Sequence, residues 1–131
     1  MTDAPMPNPK SLIESTAGWT LMQLNEVVAS RRDQPSYHVF SEENARGQIF
    51  NLGKGEQLRS TKCDGNVLLI PIEGRIKVIL NGEERAMAVG SQLLINPGVV
   101  FSVSAVEFSC VQVVWTPPFS NVEVLGQANE A

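Results

Sequence analysis

The chain has 131 residues, 43% of them hydrophobic and 18% charged, with a formal net charge of −4. This length predicts one domain with its own core, and the acidic balance, with no group of bases larger than Arg31–Arg32, argues against a nucleic-acid partner. The longest apolar runs, Val67 to Ile72 and Val111 to Trp115, are too short to span a bilayer, so we expect no membrane partner.

The N-terminal residues 1–18 are predicted to be a mobile tail. Their polar, proline-rich start lacks the apolar stretch of a secretory signal, so we expect a cytoplasmic protein. Ser11 to Glu14 has the Ser-x-x-Glu form of a capping box, which favours one or two helical turns before Gly18. From Trp19 to Val28 the apolar pattern fits both a strand and a helix.

Short runs with strand character then recur at regular intervals, divided by Gly, Asn and Pro. The predicted strands are Tyr37 to Phe40, Gln48 to Leu52, Gln57 to Cys63, Val67 to Glu73, Arg75 to Leu80, Glu84 to Ala88, Gln92 to Ile95, Phe101 to Ser104 and Phe108 to Trp115. Asn81–Gly82 predicts a two-residue hairpin, and Asn96–Pro97–Gly98 predicts a tight turn. This pattern indicates an all-β sandwich or barrel.

The spacing of the glycines and apolar runs resembles the two motifs of the cupin family. The first motif has a glycine, five residues, His-x-His, three or four residues, Glu, six residues and a glycine, and its length fits Gly55 to Gly74. The second has a glycine, five residues, Pro-x-Gly, two residues, His, three residues and Asn, and its length fits Gly90 to Ala105 around Asn96–Pro97–Gly98. The resemblance covers about residues 38–117.

The resemblance implies an architecture. It implies a cupin double-stranded β-helix, an RmlC-like jelly-roll barrel, over residues 19–118. A short helical or extended segment would precede this barrel, with a first strand at Thr20 to Leu24, and a tail would follow over 119–131. Small cupins usually pair their barrels, and Trp19 to Val28 is an apolar segment outside the barrel proper, so we expect a homodimer.

All the metal-ligand positions of the two motifs carry other residues. Thr61 and Cys63 stand at the two His positions of the first motif, Val67 at its Glu position, and Phe101 at the His position of the second. One hydroxyl and one thiol cannot replace the imidazole and carboxylate donors that such metals need. We therefore predict that the protein binds no metal and no other cofactor, and that Cys63 and Cys110 are free thiols.

The altered positions also suggest a pocket. If Thr61 and Cys63 point inward, strand alternation adds Arg59 to their face, Leu69 to that of Val67, and Val103 to that of Phe101. The candidate ligand-binding residues are then Arg59, Thr61, Cys63, Val67, Leu69, Phe101 and Val103. Such a pocket would suit a small molecule, which Arg59 could hold by a carboxylate or phosphate. The alternative is that these side chains fill the barrel.

We therefore expect a metal-independent cupin-fold protein that binds an unknown small molecule or serves in assembly, with no catalytic residues. Two alternatives remain. One is a cofactor-free sugar or keto-acid isomerase or epimerase that uses Tyr37, His38 or Cys63. The other is a structural or regulatory partner protein with a filled barrel.

Overall fold

The computed structural model describes residues 12–119 and 123–127, with Ser60, Thr61 and 123–127 as backbone alone. The chain divides into two compact units, one up to Arg32 and the other from Asp33 onward. Most of the predicted N-terminal tail, residues 1–11, lies outside the described residues. The remainder of that segment and the residues that follow it have regular structure.

The N-terminal unit consists of strand β1 (Ile13–Ser15), strand β2 (Thr20–Met22) and helix α1 (Leu24–Ser30). The strands pair antiparallel, with Ile13 opposite Met22 and Ser15 opposite Thr20. In the turn between them, Thr16 Oγ1 accepts hydrogen bonds from the backbone N–H groups of Gly18 (3.1 Å) and Trp19 (3.2 Å).

The helical turns predicted after Ser11 are therefore wrong, because β1 occupies that place. Ser11 itself lies outside the described residues. The physical reason is that Ser and Thr hydroxyls can form hydrogen bonds with the backbone of a turn or strand as well as with the first N–H groups of a helix. Here Thr16 closes the turn, and the hydroxyls of Ser15 and Thr20 lie 3.0 Å apart across the two strands.

The ambiguous segment from Trp19 to Val28 contains both a strand and a helix. The strand expected over Thr20 to Leu24 ends at Met22, and α1 begins at Leu24. Leu24, Val27 and Val28 have the i, i+3, i+4 spacing of one helix face, and the two valines are buried. The strand pattern therefore applies to the first part of this segment and the helix pattern to the second.

The second unit is built from ten short strands in two sheets. Its strands are β3 (Ser36–Ser41), β4 (Arg46–Leu52), β5 (Glu56–Lys62), β6 (Val67–Glu73), β7 (Arg75–Leu80), β8 (Glu83–Ala88), β9 (Leu93–Ile95), β10 (Val100–Ala105), β11 (Ser109–Trp115) and β12 (Glu123–Gln127). The first sheet has the order β3-β4-β11-β6-β9 and the second β12-β5-β10-β7-β8. Most neighbours are not consecutive in sequence, as in a jelly roll.

All nine predicted strands are present, each within two residues of its expected ends. The predicted C-terminal tail over 119–131 differs from the structure at two places. Phe119 packs against the core, with the Arg46 guanidinium 3.8 Å from its ring centroid. Strand β12 pairs antiparallel with β5 and forms the edge of the second sheet. The remaining residues of that segment, 120–122 and 128–131, lie outside the described residues.

The core lies between the two sheets and follows the period-two alternation of their strands. On β7, for example, Ile76 and Val78 are buried, whereas Arg75 and Lys77 are exposed. The buried residues of this core cluster are Phe50, Leu52, Leu58, Cys63, Val67, Leu69, Ile76, Val78, Met87, Ile95, Phe101, Val103, Ala105, Val111, Val113 and Trp115.

Both predicted turns are confirmed. Asn81 and Gly82 have positive φ of 49° and 86°, and Leu80 pairs with Glu83 across a two-residue hairpin. Gly98 has φ 88°, and the Val99 N–H donates to the Asn96 carbonyl at 3.4 Å, which closes the second turn.

Candidate functional site

Four of the seven predicted pocket residues come from the facing strands of the two sheets and point into the space between them. Val67 and Leu69 lie on β6, and Phe101 and Val103 lie on β10, with exposed fractions between 0% and 2%. All four belong to the same core cluster. The two motifs therefore place apolar side chains at the centre of the second unit.

Cys63 joins these residues from the end of β5. Its exposed fraction is 3%, it forms no disulfide, and its carbonyl accepts a hydrogen bond of 2.9 Å from the Gly98 N–H. That hydrogen bond ties the first motif to the turn that precedes β10. The backbone of Thr61 lies in β5, but its side chain is outside the described part of the chain.

The prediction that Arg59 points inward is wrong. Arg59 is exposed, whereas its neighbour Leu58 is 1% exposed and packs in the core. Between Arg59 and Lys62 strand β5 advances three residues, but its partner β10 advances only two, from Ser102 to Val100. This β-bulge inserts one extra residue and reverses the alternation, so Cys63 faces inward although Arg59 faces outward.

The residues at the metal-ligand positions do not fit a metal ion. Val67 and Phe101 have no donor atom, and Cys63 offers a single sulfur surrounded by apolar side chains. Among the described residues, no group of three or more His, Cys, Asp or Glu side chains is placed to hold a metal. The chemistry of this donor set supports no step that passes through a metal.

Tyr37 and His38 do not form a common acid–base pair. They are adjacent on β3, and alternation places them on opposite faces of the first sheet: Tyr37 is 8% exposed, whereas His38 is exposed. Neither belongs to the core cluster that contains Cys63. The three residues considered for metal-free isomerisation therefore do not converge on one substrate.

No family model matches the sequence, and none of the curated proteins does. Solved structures do match. A cupin-2 domain containing protein from Shewanella frigidimarina NCIMB 400 has a TM-score of 0.62 at 13% identity, over 73% of this chain and 94% of that chain. A cupin superfamily protein from Desulfitobacterium hafniense DCB-2 has a TM-score of 0.60 at 13% identity, over 88% of this chain and 93% of that chain. This protein has the cupin fold.

A third structure, an RmlC-like cupin protein from Desulfovibrio desulfuricans, has a TM-score of 0.58 at 23% identity, over 64% of this chain and 82% of that chain. Identities this low establish the fold and not the activity. Within the cupin fold, the motif turns are present, and Cys63, Val67 and Phe101 are buried at three of the ligand positions. The fold predicted from the motif spacing is therefore confirmed.

A surface groove that the sequence reasoning missed lies on the β7–β8 hairpin of the cupin barrel. Its volume is about 320 Å³, and its lining residues are Arg75, Ile76, Lys77, Ala86, Met87, Ala88 and Val106, none of them a predicted pocket residue. The sequence feature that could have indicated this groove is the register of the hairpin. Because Asn81–Gly82 is a two-residue turn, Lys77 lies opposite Ala86. A small residue beside a long side chain leaves this space.

The charges at this groove are already paired. Arg75 lies 3.1 Å from a carboxylate oxygen of Glu107, and Lys77 lies 3.7 Å from one of Glu84. All four side chains are about half exposed or more. Exposed pairs of this kind stabilise a fold little and leave no unbalanced charge to select a ligand.

One further finding concerns the whole described chain: it contains no helix with the length and apolar character needed to cross a membrane.

Proposed function

We propose that this protein is a metal-independent cupin-fold protein that acts through assembly with other protein surfaces and performs no catalysis. The observation that carries this proposal is the packing of the former ligand positions. Cys63, Val67 and Phe101 are 3%, 1% and 2% exposed and belong to one hydrophobic core. The same positions that would bring a metal into reach of a substrate contribute to the stability of the barrel instead.

The chemistry of the interior supports this proposal. Among the described residues, the buried polar or charged ones are Asn51, Ser109 and Gln112, so no carboxylate, imidazole, amine or guanidinium is buried there. General acid–base catalysis needs a group that can take or give a proton beside the substrate. A nucleophilic cysteine needs a neighbouring base or positive charge, and the exposed Arg59 lies on the outer face.

A small apolar ligand inside the barrel is our second candidate. It is supported by the placement of Cys63, Val67, Leu69, Phe101 and Val103, which face the same interior from both sheets. This arrangement is typical of an apolar pocket, provided that the side chains leave a cavity. Arg59, the group expected to give such a pocket a preference for anions, is not part of it.

The direct test of metal independence is elemental analysis of untagged protein, as purified and after incubation with iron, zinc, manganese or nickel and gel filtration. We expect far less than one equivalent of every metal. About one equivalent of any of them would overturn the proposal. The matched control is the Cys63→Ser variant, which tells metal held by this thiol from metal held elsewhere.

A further inference from the structure

The inner face of the first sheet changes from apolar to polar towards its β3 edge. In one cross-strand row, Val67 of β6 lies opposite Trp115 of β11, and Trp115 lies opposite Arg46 of β4. Val67 and Trp115 are 1% and 3% exposed and belong to the core cluster, whereas Arg46 is partly buried. Residues directly opposite one another on adjacent strands share one face. Arg46 therefore faces the interior of the barrel, in the same row as a former metal-ligand position.

Gln48 lies on the same inner face, two residues along β4 from Arg46. It is opposite Val113 of the core cluster on one side and His38 of the edge strand β3 on the other. Gln48 is partly buried and His38 is exposed. Polar side chains of β3 and β4 therefore line the interior at this edge of the sheet, next to apolar side chains of β6 and β11.

The guanidinium of Arg46 is stacked on an aromatic ring and has donors to spare. Its central carbon lies 3.8 Å from the centroid of the Phe119 ring, a cation–π contact that occupies one face of the group. Its Nε atom is shielded from solvent and has no hydrogen-bond partner within the described part of the chain. Among the described residues, no Asp or Glu forms an ion pair with Arg46. A shielded donor without a partner is rare, because its desolvation is then uncompensated.

We propose that Arg46 binds a small organic carboxylate inside the barrel, with the Gln48 amide as a second donor and the Trp115 side chain beside the apolar part of the ligand. This inference goes beyond the assembly function and rests on our second candidate, a small molecule within the barrel, to which it adds a charged group. Arg46 thereby takes the role that strand alternation assigned to Arg59.

The chemistry of Arg46 favours this class of ligand. The planar edge of a guanidinium presents parallel N–H groups that match the two oxygens of a carboxylate. Stacking on Phe119 occupies the face of the group and leaves this edge for the ligand. A single positive charge that no described acid neutralises balances one negative charge, which favours a monocarboxylate over a phosphate dianion.

Titration with acetate and benzoate tests the site, and acetamide and benzamide serve as uncharged ligands of the same shape. NMR of the arginine Nε–H groups reports on Arg46 directly, because its signal is the one lost in Arg46→Gln. We expect a carboxylate at millimolar concentration to shift this signal in a saturable way. The matching amide should bind about tenfold more weakly or less, because it lacks the charge.

Calorimetric titration of variants tests which arginine binds the carboxylate. Arg46→Gln should weaken binding about tenfold or more, because a charge-assisted pair is lost. Arg46→Lys keeps the charge without the planar donor edge and should have an intermediate affinity. Arg59→Gln is the matched control, since it removes the same charge from an exposed arginine and should leave binding unchanged. Urea denaturation establishes that each variant is folded, and if Arg46→Gln is not, Arg46→Lys decides.

Three results would overturn the inference. These are no saturable binding of either carboxylate, equal binding of an amide and its carboxylate, and a loss of affinity in Arg59→Gln as large as that in the Arg46 variants. None of these results changes the metal content of the protein. Failure of this inference and failure of the metal-independent function can therefore be told apart.

Discussion

The two cupin motifs of this chain differ in whether residue spacing correctly predicts which side chains face the core. In the second motif, strand β10 alternates without interruption: Phe101, Val103 and Ala105 are buried, and Val100, Ser102 and Ser104 face outward. In the first motif, the extra residue in β5 reverses the alternation between Arg59 and Cys63. Two-residue alternation therefore predicts side-chain direction along an uninterrupted strand pair and fails across a β-bulge.

The largest expected effect is on the free energy of unfolding. It is the difference between replacing an inward residue of the second motif and replacing an outward residue of the first. Phe101→Ala should lower the free energy of unfolding by about 3–5 kcal/mol, because it leaves a cavity in a packed core. Arg59→Ala should change it by less than about 0.5 kcal/mol, as at an ordinary surface site. Urea denaturation of both variants gives the two values. A loss below about 1 kcal/mol for Phe101→Ala would favour an open pocket and the small-molecule candidate.

The glycines that close the first motif and open the second allow a finer comparison. Gly74 and Gly90 have φ of 84° and 99°, so an alanine at either costs about 1–2 kcal/mol in backbone conformation. A Cβ at Gly90 meets nothing within 4 Å, whereas one at Gly74 collides with the Phe108 carbonyl and with Ser109. We expect Gly74→Ala to destabilise the protein clearly more than Gly90→Ala in the same thermal or urea unfolding experiment. Equal losses would contradict the crowding at Gly74.

The smallest effect is on thiol reactivity in the native state, which reports the direction of side chains around the bulge. In the native protein Cys63 and Cys110 should react slowly with a thiol reagent, since both are buried. Arg59→Cys should add one rapidly reacting thiol, and Leu58→Cys, its inward neighbour, should add none. Rapid reaction of the natural chain, or protection of the thiol at position 59, would place the bulge elsewhere in β5.

Much of the fold follows from local chemistry. Asn81–Gly82 and Asn96–Pro97–Gly98 form the expected turns because positive φ is inexpensive for Gly and Asn. The strands between them follow from runs of β-branched and apolar residues, and the predicted bounds of β6 and β7 agree with the structure at both ends. Within the candidate site, the inward direction of Val67, Leu69, Phe101 and Val103 follows in the same way.

Other features depend on partners that are distant in the sequence. Strand β12 lies in the segment predicted to be a C-terminal tail, and it pairs with β5, more than sixty residues earlier. The Ser11–Glu14 sequence is compatible with a helix start, but its last residue pairs with Leu21 in a hairpin. Local patterns cannot choose among these outcomes because the competing conformations satisfy the same backbone groups.

The sequence by itself determined that the chain forms a small β barrel with two motif turns, and that the motif positions lack the imidazole and carboxylate donors of a metal site, because both depend on residue type and local spacing. The tertiary structure alone decided that Arg59 lies outside while Cys63 lies inside, and that Ile79 and Val100 are exposed on the outer face of the second sheet. The reason is that a bulge and an exposed face depend on the register between strands, and register is determined only when the strands meet.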